Sequence, residues 1–324
     1  MVRAGQNSEP TPQTLKDLLA LSPAEIERCD IARLNLLCAE GLPGAENLNV
    51  ENFLARLDQM ARHVDAETKR HFYKFLQSKT DYNNSEGYFR CLALVTVLQQ
   101  DFGIRYNPAR ITAVGVFEPN DLFFADSRDT FLHGTIGETR MGTCSSLPVL
   151  YVAVGRRLGY PLKLVTAKNH LFVRWDDPSP IQRFNFDATG QGLTMRTDEY
   201  YRQWPLPISP DEETANGHLK SLTTGEELGA FLDIRGHCLM ASGRTAEALA
   251  SHTAAVRFAP QCAAYQTTLL MVQQAARAKS QSIVMPPASP ILQVQGLLGI
   301  GPAAIEAEMD ATRAEAGSRA RRGE

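Results

Sequence analysis

The strongest constraint on this chain is the order and setting of one cysteine, one histidine and one aspartate. Cys144 stands in Gly142-Thr143-Cys144-Ser145-Ser146, directly before the apolar stretch Leu147–Leu158. His170 opens the run His170-Leu171-Phe172-Val173-Arg174-Trp175, and Asp187 closes Arg183-Phe184-Asn185-Phe186-Asp187. The first stretch is long enough for a buried helix. The other two have the length and the β-branched and aromatic content of strands. A helix N-terminus gathers backbone N–H groups and favours an anion there. An imidazole beside the thiol supplies a base, and a carboxylate on the far ring nitrogen fixes the tautomer. The spacing thus points to an activated cysteine nucleophile with Cys144, His170 and Asp187 as its catalytic residues. Taken singly, each has an ordinary reading: a core thiol, a pairing histidine and a turn carboxylate.

The strands expected at Leu162–Ala167, Leu171–Asp176 and Arg183–Phe186 are separated by turn residues, which predicts an antiparallel sheet. Short connections bring His170 and Asp187 together. Asn185 alternates with Asp187 and shares its face, which makes it a supporting polar group. His133 and Thr143, just before the nucleophile, are further candidates for supporting or substrate contacts. The approach segment, 121–142, is expected to cross the front of the core and to offer a second oxyanion donor beside the Cys144 N–H.

Around these residues the chain resembles the transglutaminase-like superfamily in its compact bacterial branch. The pieces that carry the likeness are Gly142-x-Cys144 before a helix, Arg157-Leu158-Gly159-Tyr160-Pro161 at the helix end, His170 at a strand start and Asp187-Ala188-Thr189 after the next strand. The resemblance implies an α+β papain-like core, a helix packed on an antiparallel sheet, with a Cys-His-Asp triad. Two departures stand out. Many such cores carry tryptophan after the histidine, where this chain has Leu171. Pro148 sits early in the helix, tolerable only in a first turn.

Outside the core, residues 1–13 read as a polar, disordered tail, and 14–110 as a helical region packed on the core. Ser22-Pro23-Ala24-Glu25 matches a capping box with proline at the first helical position. Asn49–Val64 is amphipathic and Ser85–Gly103 is a strong helix. The aromatic run His71–Phe75 reads as packing rather than as a ligand site. The core is assigned 111–209, with a short strand at Ile111–Val116. Residues 224–279 resemble one tetratricopeptide repeat: Leu232, Gly236, Ala248, Ala255 and Pro260 fall on its small, apolar and terminal-proline positions. The paired helices are expected at Leu228–Ser242 and Thr245–Phe258. One repeat cannot form a solenoid, so it is expected to dock on the core as a hairpin. Residues 280–324 read as a linker and flexible tail.

Composition closes several alternatives. A net charge of −3 gives no electrostatic footprint for nucleic acid or an anionic membrane. No apolar run reaches membrane-spanning length and the start lacks a secretory core, so the expected compartment is the cytoplasm. The six cysteines form no C-x-x-C pair, which argues against structural zinc, and reduced thiols are expected. No phosphate loop or dinucleotide fingerprint is present, so no cofactor is expected. The leading reading is a cysteine-dependent acyl-transfer enzyme acting on amide bonds of a protein or peptide through a thioester. It is a protease or amidase if water resolves the thioester, and of transglutaminase type if an amine does. The alternative is a catalytically silent scaffold that binds a protein partner through its C-terminal helices.

Overall fold

The computed structural model describes residues 10–110, 122–178 and 181–280. The strand expected at Ile111–Val116, the start of the N-terminal tail and the tail from 281 onward lie outside the described residues.

The core is built around α7 (Leu147–Arg157), whose residues from Leu147 to Gly155 are all buried. Pro148 occupies its first turn, where a missing N–H costs no intrahelical bond. Four antiparallel strands pack on it in the order β3 (Leu162–Ala167), β4 (His170–Pro178), β5 (Ile181–Asp187) and β6 (Thr194–Arg196). The approach of helix to sheet is close at Gly155, where a Cβ would lie 2.3 Å from Leu162 Cδ1. The β3–β4 turn is two residues long, and Asn169 takes a left-handed φ of 64°, which asparagine tolerates better than most residues. The register pairs Ala167 with His170 and Val173 with Phe186. The mixed helix and antiparallel sheet match the α+β class read from sequence. Strand β6 is an addition that its three residues gave no period to reveal.

The opposite face of α7 is covered by α3 (Ile31–Cys38), α4 (Val50–Gln77) and α5 (Glu86–Gln100), after the short α1 (Leu15–Ala20) and α2 (Pro23–Ile26). The capping box at Ser22 and Glu25 forms. Helix α4 runs thirteen residues beyond Val64. No glycine or proline interrupts it there, and the pairs Asp65–Lys69 (2.7 Å) and Glu67–Arg70 (2.6 Å) lie along its exposed side. Phe72 and Phe75 pack with Tyr82 and Phe89, as expected of an aromatic stripe. Packing starts earlier than Thr14: Pro12 is buried, and its carbonyl accepts a hydrogen bond from Arg33 Nη1 at 3.2 Å.

The segment before Cys144 carries two short pieces with positional meaning. Strand β1 (Arg105–Tyr106) pairs in parallel with β2 (Met141–Gly142), and α6 (Leu132–Thr135) lies between them in sequence. After the sheet come α8 (Asp198–Gln203) and α9 (Pro210–Asn216), then α10 (Thr224–Ala241), α11 (Thr245–Phe258) and α12 (Ala263–Ser280). Gly236 lets α10 and α11 meet closely, since a Cβ there would lie 2.3 Å from the His252 ring.

Helix α10 is fastened to α7 by a bidentate pair: Arg156 Nη1 to Glu227 Oε2 at 3.0 Å and Nη2 to Oε1 at 2.5 Å. Glu227 is fully buried, and burial pushes its carboxyl up against the opposing pull of Arg156. A second tie runs from Arg235 Nη1 to the carbonyls of Cys38 (2.8 Å) and Glu40 (2.6 Å). Removing one partner of a buried pair strands the other charge at a cost of about 3–5 kcal/mol, whereas an apolar replacement of both is often neutral. Arg156→Ala is therefore expected to lower stability to urea by about that amount, and Arg156→Met with Glu227→Leu by much less. Equal losses in both variants would mean that the site is governed by shape rather than by charge.

Candidate active site

Cys144 lies in the turn that leads into α7 and is 5% exposed. The turn is held from several directions. The Thr143 carbonyl accepts from Ser146 N–H (3.2 Å) and Leu147 N–H (2.9 Å). Thr143 Oγ1 donates to the Asp129 carbonyl at 2.8 Å and accepts from Ser145 N–H at 3.2 Å. Ser146 Oγ donates to the same carbonyl at 3.3 Å and accepts from Thr143 N–H at 3.1 Å. Thr143, expected as a supporting group, is thus fully buried and fixes the shape of the turn.

His170 and Asp187 meet across the sheet. His170 starts β4 and Asp187 ends β5, and the antiparallel register sets these termini side by side. His170 Nε2 lies 2.7 Å from Asp187 Oδ2 with the imidazole side chain fully buried. The carboxylate is further held by Thr189 N–H (2.8 Å) and Thr189 Oγ1 on Oδ1, and by Tyr201 Oη (3.2 Å) on Oδ2. Tyr201 stacks beside the imidazole, and Trp204 meets it edge-on at a centroid distance of 4.8 Å. Nδ1, the nitrogen turned away from Asp187, has no hydrogen-bond partner among the described residues, and Cys144 is the thiol that interacts with this ring.

Electrostatics follow from that arrangement. Burial disfavours a charged imidazole, but the Asp187 charge, its hydrogen bond and the neighbouring Cys144 outweigh it and push His170 up to about 9. Burial also opposes charge on Asp187, but His170 and Thr189 hold it down at about 2.

The other candidates divide. Asn185 shares a face with Asp187 in sequence, yet its amide belongs to a different cluster. Its Oδ1 accepts from Arg174 Nε at 2.6 Å, and its Nδ2 donates to Asp198 Oδ1 at 2.7 Å. His133 is buried in α6, 3.2 Å from Ser127 Oγ and edge-on to Phe53. Burial pushes it down to about 4, so it is neutral near pH 7 and serves to pack the loop around Gly44.

Sequence reasoning missed Tyr106. Pairing of β1 with β2 carries its phenol to the Cys144 backbone N–H, which interacts with the phenol oxygen. Burial, then the nearby Cys144 and Asp187, push this phenol up, so it keeps its proton. A two-residue strand has no readable period, and its partner lies 36 positions along the chain. Among the described residues no cluster of His, Cys, Asp and Glu is disposed to hold a metal ion. No disulfide joins any of the six cysteines, and among the described residues no helix is long and apolar enough to cross a membrane.

The pair makes stability depend on pH. A histidine raised in the folded state stabilises fully below its ordinary value of about 6.5, and this is lost as pH rises through about 9. A lowered aspartate stabilises above its ordinary value of about 3.9, and this is lost as pH falls through about 2. The contribution is therefore complete between about pH 4 and 6.5. The gap in urea midpoint between the wild type and Asp187→Asn is expected to be widest in that window and to narrow toward either limit. A gap that stays constant from pH 3 to 10 would show that the imidazole and the carboxylate are not paired in the folded state.

A transglutaminase-like superfamily domain matches residues 51–228, more than half of the chain. No curated protein and no solved structure matches it. The matched stretch begins in α4 and ends in α10, and so takes in the whole sheet, the buried helix α7 and the turn before it. On the fold and this match together, the chain belongs to the transglutaminase-like superfamily.

Proposed function

We propose that this protein is a cysteine-dependent acyl-transfer enzyme that works on amide bonds of a protein or peptide through a thioester. The observation that carries the reading is the buried His170–Asp187 pair, with its remaining ring nitrogen on the side of the Cys144 thiol. In this reading His170 already holds the Cys144 proton on Nδ1, and Cys144 Sγ attacks the carbonyl carbon as the thiolate beside the charged imidazole. The C–N bond breaks as His170 returns that proton to the departing amine, leaving an acyl thioester. Water or a primary amine then attacks the thioester, loses a proton to His170, and Cys144 leaves as the thiolate. Asp187 orients the ring through Nε2 and stabilises its charged form. The Cys144 N–H and the Tyr106 hydroxyl are the donors for the developing oxyanion, the N–H exchanging the phenol oxygen for that of the substrate.

Four of the five other thiols provide an internal control. Burial pushes Cys38 and Cys238 up to about 12 and raises Cys91 and Cys262 as well, and none of the four has an imidazole partner that offsets this. Iodoacetamide at neutral pH is expected to alkylate Cys144 at least about tenfold faster than these four, read by peptide mass spectrometry. Asp187→Asn is expected to reduce that advantage. Tyr106→Phe is expected to leave alkylation unchanged and to slow turnover of a p-nitrophenyl ester by about a hundredfold, the usual effect of losing one oxyanion donor. Alkylation of Cys144 no faster than that of Cys262 would remove the basis for a nucleophile.

A further inference from the structure

One pocket reaches from the reactive groups into the C-terminal helices. It has a volume of about 210 Å³, and Cys144 and His170 form part of its lining. The core side contributes Phe124 and Leu171, and the far side is formed by Ala230 and Ile234 of α10, Ala259 after α11 and Tyr265 of α12. The four far-side residues lie beyond residue 228, where the superfamily match ends. The far wall is firmly held, because the buried Arg156–Glu227 pair and the two Arg235 bonds fix α10 to α7 and α3.

Apart from His170, whose charge Asp187 balances, the charges in this lining have one sign. Glu226 and Asp233 line the pocket, and among the described residues no lysine or arginine does. Asp233 is bonded to His252 Nδ1 at 2.9 Å and faces His237 Nε2 at 3.4 Å, and His237 packs against Phe124. His218, also in the lining, is pushed down to about 4 by burial and is neutral near pH 7. An anionic group entering here would meet two carboxylates, and no cation other than His170, which Asp187 already balances. An apolar group would exchange water for carbon on several sides.

We propose that the C-terminal helices are the acyl-selective wall of the Cys144 site, and that the pocket takes an apolar, uncharged group attached to the reacting carbonyl while excluding acidic ones. This rests on the reading of Cys144 as a nucleophile. It gives α10–α12 a role inside the enzyme rather than as a platform for a separate partner.

The test uses p-nitrophenyl acetate, butyrate and hexanoate with the full chain, and mono-p-nitrophenyl glutarate as the acidic probe. Acylation removes p-nitrophenolate and leaves the acyl group on Cys144, so the burst reads the step directly. Each buried methylene adds up to about fourfold. Acylation efficiency is therefore expected to rise by at least about tenfold from acetate to hexanoate, with the glutarate ester no better than acetate. Ala230→Phe, which fills the pocket, is expected to remove most of the gain from acetate to hexanoate. Ile234→Ser, which adds no bulk, is expected to flatten the series in part. Circular dichroism checks the fold of both variants. Normal reaction with acetate but no dependence on chain length would overturn the pocket assignment alone. No burst with any ester beyond that of Cys144→Ala would overturn the nucleophile, and the pocket assignment with it.

Discussion

The bond between His170 Nε2 and Asp187 Oδ2 is the interaction on which the site depends. Removing a carboxylate and an imidazole from water is costly, and their mutual attraction repays this only when the remaining lone pairs are also satisfied. Here they are. Thr189 holds one oxygen of Asp187 and Tyr201 holds the other, while Tyr201 and Trp204 shield the ring. The β4–β5 register sets the distance, because a shift of one residue would turn Asp187 to the other face of the sheet. The pair thus links the topology of the sheet to its chemistry.

The thiol is placed by a different set of forces. Helix α7 is apolar on every side and must sit at the centre of the molecule. Its first turn is anchored to the Asp129 carbonyl through two hydroxyls. The Asp129 carboxylate in turn accepts from Asn107 Nδ2 (2.7 Å) and Arg110 Nε (2.8 Å), which ties the residues after β1 to the same point. One residue therefore fixes both the Cys144 turn and the strand that carries Tyr106. The far end of α7 holds α10 through Arg156, so the helix behind Cys144 also positions the opposite wall of the pocket.

Much of this was legible in the sequence because it is local. The bounds of β3, the start of α7, the capping box at Ser22 and the helix Thr245–Phe258 follow from period, caps and turn residues. So did the approach of His170 to Asp187, which needs only two hairpins. What stayed hidden depends on distant pairing or on competition among polar groups. Tyr106 reaches the site through two two-residue strands. Asn185 has the right phase for the site, but the buried Arg174 guanidinium must be satisfied and takes its carbonyl. His133 has the right neighbourhood in sequence, and burial makes it a packing residue. Helix α4 ran past its apolar period because charged pairs and the absence of breakers sustain it.

The central claim is that a charged imidazole is held inside this molecule by Asp187. Nuclear magnetic resonance of the His170 ring protons across pH tests it most directly, with His170→Gln used to assign the signal. The account predicts titration near pH 9 in the wild type. It predicts a fall below the ordinary value of about 6.5 in Asp187→Asn, where burial acts unopposed by the carboxylate. Titration of His170 near 6.5 in both proteins would contradict it.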